Sequence, residues 1–187
     1  MVRVTFVLGN LAARSPEARI AIGQHPDTMI LLPALLGEYL LQDPYQDQNS
    51  GLQGSTRLNS DSIPNGTTLS GGGGGMVNDE AVLDFQGSGN NEDTALKIIR
   101  VFANSSIDHE TGSLLALNES IINELLNAVA SNHHRLLLLP SLATLNNLSF
   151  YMIVNQIEIY KTLRSLLLNS DHAVAAEAAR VCGNLSR

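Results

Sequence analysis

The sequence has no tryptophan, one cysteine and no run of basic residues, and only 4% of its 187 positions are aromatic. Each scarcity excludes something. Cys182 alone forms no intrachain disulfide, and its place in an apolar helical run reads as a small buried hydrophobe rather than a reactive thiol. His25, His109 and His172 stand isolated in turns, and His133 and His134 are adjacent without a His-x-x-x-His spacing, so no metal-ligating set is expected. No Ser-His-Asp arrangement can be assembled from candidates that sit in different turns, so no catalytic residue and no cofactor is assigned. A net charge of −7 without a basic cluster argues against binding nucleic acid through its phosphates. The hydrophobic 44% is mostly Leu, Ile, Val and Ala. That mixture suits stacked helices better than a β-sandwich, which draws on β-branched and aromatic residues.

Targeting signals are also scarce. Arg3 is not followed by a continuous apolar core and a cleavage site, so no signal peptide is read. The uncharged stretch Leu136 to Ile157 is long enough to cross a bilayer. It contains Pro140, Ser141, Asn146, Asn147, Ser149 and Asn155, which hydrocarbon would penalise and a helical stack would not. Glycosylation sequons occur at Asn65, Asn104, Asn118, Asn147 and Asn184, three of them on helices whose neighbours must be packed. These points lead to an expectation of a cytoplasmic protein with no membrane contact and accidental sequons.

What is present is unevenly distributed. Residues 43–93 carry eight acidic side chains against Arg57 alone, and ten of the fifteen glycines, five of them consecutive at Gly71 to Gly75. Such a segment cannot bury enough apolar surface to offset its ordering entropy, so it is expected to be a disordered insertion. Within it, Ala81 to Phe85 is the one place for a short element or docking motif. The glycine run is no phosphate loop, because Met76-Val77-Asn78 follows it where Lys and Ser or Thr would be required.

Outside residues 43–93 the apolar period is helical. Met1 to Ala13 shows Val4, Val7, Leu8 and Leu11 at steps of three and four, and Ser15-Pro16-Glu17 starts a short helix that ends at Gly23. Asp27 is read as the cap of Thr28 to Leu41, with Ile30, Leu31, Ala34, Leu35 and Tyr39 inward and Pro33 kinking or delaying the helix. Asp93 is read as the cap of the next helix, which runs to Ser106 with Leu96, Ile99, Phe102 and Ala103 inward. A turn through Asp108 to Gly112 leads to a short helix, Ser113 to Leu117. Ser120 then caps Ile121 to Ala130, whose face is Ile122, Leu125, Leu126 and Val129. Arg135 to Ser149 contains Pro140, and Phe150 to Gln156 reads as another short helix. Glu158 to Asn169 follows with Leu163, Leu166 and Leu167 inside, and Asp171 caps His172 to Leu185.

Four of these helices end alike, in Val7-Leu-Gly-Asn-Leu-Ala12, Val101-Phe-Ala-Asn-Ser-Ser106, Thr144-Leu-Asn-Asn-Leu-Ser149 and Val181-Cys-Gly-Asn-Leu-Ser186. Aligned on Asn10, Asn104, Asn147 and Asn184, the copies are 94, 43 and 37 residues apart. The last two intervals lie near the period of about 40 residues of HEAT and armadillo arrays, and the first holds one period plus the insertion. Short helix, longer helix, then long helix ending in a small residue and Asn resembles the armadillo repeat. The expected fold is therefore all-α, an armadillo-type right-handed helical solenoid. It divides into helices of a partial and a first repeat over 1–42, the insertion over 43–93, and further repeats over 94–187. Starting within a third helix and stopping at the end of another, without polar caps, it reads as a piece of a longer solenoid with apolar end faces prone to self-association.

The resemblance implies a non-enzymatic adaptor that binds intracellular proteins. Its branch with a long polar insertion implies assembly of the ciliary and sperm-flagellar axoneme, with radial-spoke, central-apparatus or ciliary-transport partners. A peptide-binding adaptor unrelated to cilia is the alternative, and an enzyme the other class. In armadillo repeats the third helices line a concave groove where asparagines bond the main chain of an extended peptide. That implies a groove of Asn10, Asn104, Asn147 and Asn184, flanked at positions four and seven residues earlier by Phe6 and Arg3, Arg100 and Lys97, Ala143 and Pro140, and Arg180 and Glu177. Nuclear-signal receptors of this family carry Trp at the first of those positions, and this chain has none. Arg3, Lys97, Arg100 and Arg180 suit an acidic or main-chain-presenting partner instead. The competing reading is that the asparagines cap neighbouring helix ends and the arginines are merely solvated.

Overall fold

The computed structural model describes residues 2–41, 88–131, 135–151 and 156–187. They belong to one compact unit, residues 1–43 with 86–187. The second unit, residues 44–85, lies outside the described residues, and so do the element expected over Ala81 to Phe85 and nearly all of the segment read as a disordered insertion. Regular structure among the described residues is entirely helical: α1 (Val2–Arg14), α2 (Pro16–Gln24), α3 (Pro26–Leu41), α4 (Ser88–Ser105), α5 (His109–Leu117), α6 (Glu119–Ala130), α7 (Arg135–Ser149), α8 (Gln156–Leu163), a 3-10 turn (Leu166–Leu168) and α9 (His172–Leu185). None of the described helices is long and apolar enough to cross a membrane.

Equivalent helices adjoin. Helices α1, α4, α7 and α9 lie side by side, each packed on the next, while α2 packs on α5, and α6 packs on both α3 and α8. The triplets α2-α3-α4 and α5-α6-α7 are thus successive units, and α1 is the third helix of a preceding one.

Helix starts follow local chemistry, with four corrections. Ser15 Oγ accepts from Ala18 N at 3.1 Å with Pro16 behind it, and Asp171 Oδ1 accepts from Ala173 N at 2.9 Å, as expected. Helix α3 begins before Asp27, whose N–H instead donates to His25 Nδ1 at 3.3 Å. Helix α4 begins at Ser88, so Asp93 lies inside it and pairs with Lys97 one turn on. Asn118, not Ser120, caps α6: its Oδ1 accepts from Ser120 N and Ile121 N at 3.1 and 3.3 Å, while its Nδ2 donates to Met29 O of α3 at 2.9 Å. That last bond ties one unit to the next, which local sequence could not show. The Asp108 to Gly112 turn is the first turn of α5, capped by Asp108 Oδ1 on Thr111 N at 2.9 Å.

The Asp108 carboxyl is held below the ordinary aspartate value, chiefly by the Thr111 backbone N–H. A carboxyl lowered in the folded state adds stability above its unfolded pKa, and loses it as pH falls through the folded value. Asp108→Ala should therefore lower the thermal midpoint at neutral pH. The gap to the wild type should close in a pH series carried below the carboxylate range.

Burial follows the expected faces in some helices and departs from them in others. Ile122, Leu125, Leu126 and Val129 of α6 are buried as expected, and so are Ile99 and Phe102 of α4. Helix α4 lies between α1 and α7, so it also buries Ala95, Ile98 and Val101. Helix α1 reverses its expected face: Thr5, Gly9 and Ala12 are buried, whereas Val4, Val7 and Leu11 are about half exposed. Its small residues allow the close approach, leaving the branched stripe outward. In α3, Leu32, Pro33 and Leu36 are inside while Ile30 and Leu31 are exposed. The helix expected over Glu158 to Asn169 ends at Leu163 and gives way to the 3-10 turn, so Leu167 and Leu168 face outward. Most of Phe150 to Gln156 lies outside the described residues.

Candidate functional site

The asparagine register is real in three dimensions, and most of it is spent within the stack. Asn104 Nδ2 donates to Gly9 O at 3.0 Å, Asn147 Nδ2 to Ala103 O at 3.4 Å, and Asn184 Nδ2 to Asn146 O at 3.4 Å. Each acceptor is the residue just before the preceding asparagine. Serines complete two of the steps. Asn147 Nδ2 lies 3.2 Å from Ser106 Oγ and Asn184 Nδ2 lies 2.9 Å from Ser149 Oγ, while those hydroxyls donate to Ala103 O and Asn146 O at 2.7 and 2.6 Å. Asn184 also reaches Asn146 Oδ1 at 3.0 Å. The asparagines stitch each third helix to the one before it, and the serines polarise the acceptor.

The serines are the site residues that sequence reasoning missed. Their signal was present as the third position of the sequons at Asn104, Asn147 and Asn184. In the fold that position is half of a hydrogen-bonding station, for a reason unrelated to glycans.

Five of the twelve residues expected in or beside the groove meet at one place. Phe6 and Asn10 of α1 and Lys97, Arg100 and Asn104 of α4 line a pocket of ≈ 50 Å³ floored by Thr5 and Gly9. One bond to Gly9 leaves the Asn104 amide a second N–H and its oxygen. Asn147 and Asn184 do not line this pocket, and the α7 positions four and seven residues before Asn147 are Ala143 and Pro140, without charge.

The four cations are not equivalent. Lys97 is mostly buried and paired with Asp93, and Arg180 is paired with Glu177. Arg3 and Arg100 are exposed, and neither forms an ion pair among the described residues. The expected ladder therefore contracts to an uncompensated pair of arginines at the α1 and α4 step, with the half-exposed Phe6 ring beside Arg100 in the pocket wall.

Two other expectations concern chemistry. Cys182 is half-buried, and desolvation pushes its thiol pKa up, away from the reactive thiolate. No group of three or more metal-ligating side chains occurs among the described residues, and His133 and His134 lie outside them.

Helix triplets stacked with like beside like, and third helices stitched by an asparagine at a constant register, define an armadillo-type helical repeat. Over 196 aligned residues the chain is similar to armadillo repeat-containing protein 2, 29% identical to the Homo sapiens and Bos taurus proteins and 26% identical to that of Mus musculus. The alignments cover 100% of this chain and 19 to 20% of those proteins, so it spans a fifth of their length. No protein-family model matches the chain, and no solved structure does.

Proposed function

We propose that the chain is a non-enzymatic protein-binding scaffold whose contact point is the α1 and α4 step of the third-helix row. The observation that carries this is the pocket of Phe6, Asn10, Lys97, Arg100 and Asn104, with Arg100 and the exposed Arg3 of α1 forming no ion pair among the described residues. An extended acidic segment satisfies it: carboxylates meet the guanidiniums, an apolar side chain meets Phe6, and main-chain groups meet the Asn10 and Asn104 amides. By resemblance to armadillo repeat-containing protein 2, such a segment is sought in axonemal or ciliary-transport proteins of cilia and sperm flagella. In this reading the asparagines of α7 and α9 serve the stack and Arg180 is paired within α9, which narrows the expected groove to its first step.

Arg3→Glu combined with Arg100→Glu should reduce capture of identified axonemal proteins from ciliated-cell extract by more than tenfold, since each reversed exposed charge turns attraction into repulsion. The residual binding should depend less on salt. Arg180→Glu should change capture little. Equal capture by the double variant, with circular dichroism unchanged, would remove the site.

A further inference from the structure

Two prolines stand inside described helices, Pro33 in α3 and Pro140 in α7. A proline has no N–H, so each leaves the carbonyl four residues earlier, Met29 O or Leu136 O, without its α-helical donor, and its ring crowds that oxygen outward. The two carbonyls fare differently. Asn118 Nδ2 of the next unit donates to Met29 O at 2.9 Å, so the first is satisfied by an amide N–H from outside its helix. No side chain among the described residues donates to Leu136 O.

Leu136, Leu139, Pro140 and Ala143 precede Asn147 by eleven, eight, seven and four residues, so they share the face of α7 that carries the asparagine row. On that face Leu136 is 69% and Leu139 38% exposed, although α7 has a third helix on either side, α4 and α9. The α4 residues in the same register are Asp93, Leu96, Lys97 and Arg100. An apolar strip with a released main-chain acceptor therefore lies in the interior of the row, beside the exposed Arg100.

We propose that α7 is the second station of the partner contact: Leu136 O accepts a main-chain N–H of the bound segment, and Leu136, Leu139 and Ala143 receive one of its aliphatic side chains. This rests on the reading of Arg100 as the anchor of an extended acidic segment, and it names what that segment carries beyond its acid. Packed helix axes stand about 8–10 Å apart and an extended chain advances about 3.3 Å per residue, so α4 to α7 is a step of about three residues. The segment thus has an acidic residue for Arg100 and a leucine, isoleucine or valine three residues away.

The test uses the full chain, labelled with nitrogen-15, and short peptides of glycine and serine that carry one aspartate. A single leucine is walked along them on either side of the acid, and binding is read by NMR titration. Affinity should peak about tenfold above the leucine-free peptide when the leucine is three residues from the aspartate on one side. Leu136→Ser should flatten that peak and keep the need for aspartate. Pro140→Ala returns an N–H to Leu136 O, so it should weaken the best peptide about threefold to tenfold while raising the thermal midpoint. Opposite signs in those two measurements separate a ligand contact from a structural role. N-methylation of the peptide bond over α7 should cost the wild type the same factor and cost Pro140→Ala nothing further. An unchanged affinity in Pro140→Ala overturns the main-chain bond. A flat leucine scan that still requires aspartate and Arg100 overturns the α7 station and leaves the acidic site standing. Peptides that do not bind, or that bind Arg100→Glu equally, overturn the acidic site and the α7 station with it.

Discussion

Replacing Phe102 by alanine should cost about 3–5 kcal/mol of folding stability, the range for emptying an aromatic site in a close-packed core. Phe102 is fully buried on α4, the helix packed against α1 on one flank and α7 on the other. A void there has no solvent route by which to fill, and the third-helix row on both sides is held by asparagine bonds that resist collapse. Urea unfolding followed by circular dichroism measures the loss, and Phe6→Ala on the same row is the control. Phe6 is 53% exposed, so its truncation should move the midpoint little. A Phe102→Ala chain within 1 kcal/mol of the wild type would mean that α4 is not sandwiched as described.

Gly112→Val is the second large effect. A Cβ at Gly112 would stand 2.5 Å from Tyr151 Cε2 and 2.9 Å from the Ser106 carbonyl oxygen. The Tyr151 ring could turn away only by giving up its edge-to-face contact with His109, with centroids 5.3 Å apart. The Ser106 oxygen is main chain in the tight turn between α4 and α5, and it cannot rotate aside. Forcing a branched side chain into that space should cost about 1–3 kcal/mol, with the methyl groups adding to the Cβ clash. Gly9→Ala supplies the opposite sign. Its Cβ would find Val101 Cγ2 at 3.8 Å, an ordinary contact, and helix propensity favours alanine by about 0.5–1 kcal/mol. Thermal melts of the two variants should therefore move in opposite directions.

The asparagine row shows how far a register can be read before coordinates. Asn10, Asn104, Asn147 and Asn184 aligned because each sits on a third helix at the same point of the repeat, and the fold keeps that alignment. Their bonding could not be read, because an amide offers the same donors to a peptide main chain and to a neighbouring carbonyl. In the fold Asn104, Asn147 and Asn184 each bond a main-chain carbonyl of the preceding third helix, within the helix rather than as a cap in the case of Gly9. Arg100 and Arg180 occupy equivalent positions in sequence, yet a glutamate one turn away pairs only the second.

What the sequence determined by itself is the helical period, the Ser15 and Asp171 helix starts, and the repeat spacing. What only the tertiary structure decided is which face of each helix turns inward. A helix such as α3, apolar on all sides, has no inward face of its own, and α1 buried its small residues because they alone let α4 approach closely. Burial, like the choice of hydrogen-bond partner for each asparagine, is a property of two helices at a fixed distance, and no local window of sequence contains that distance.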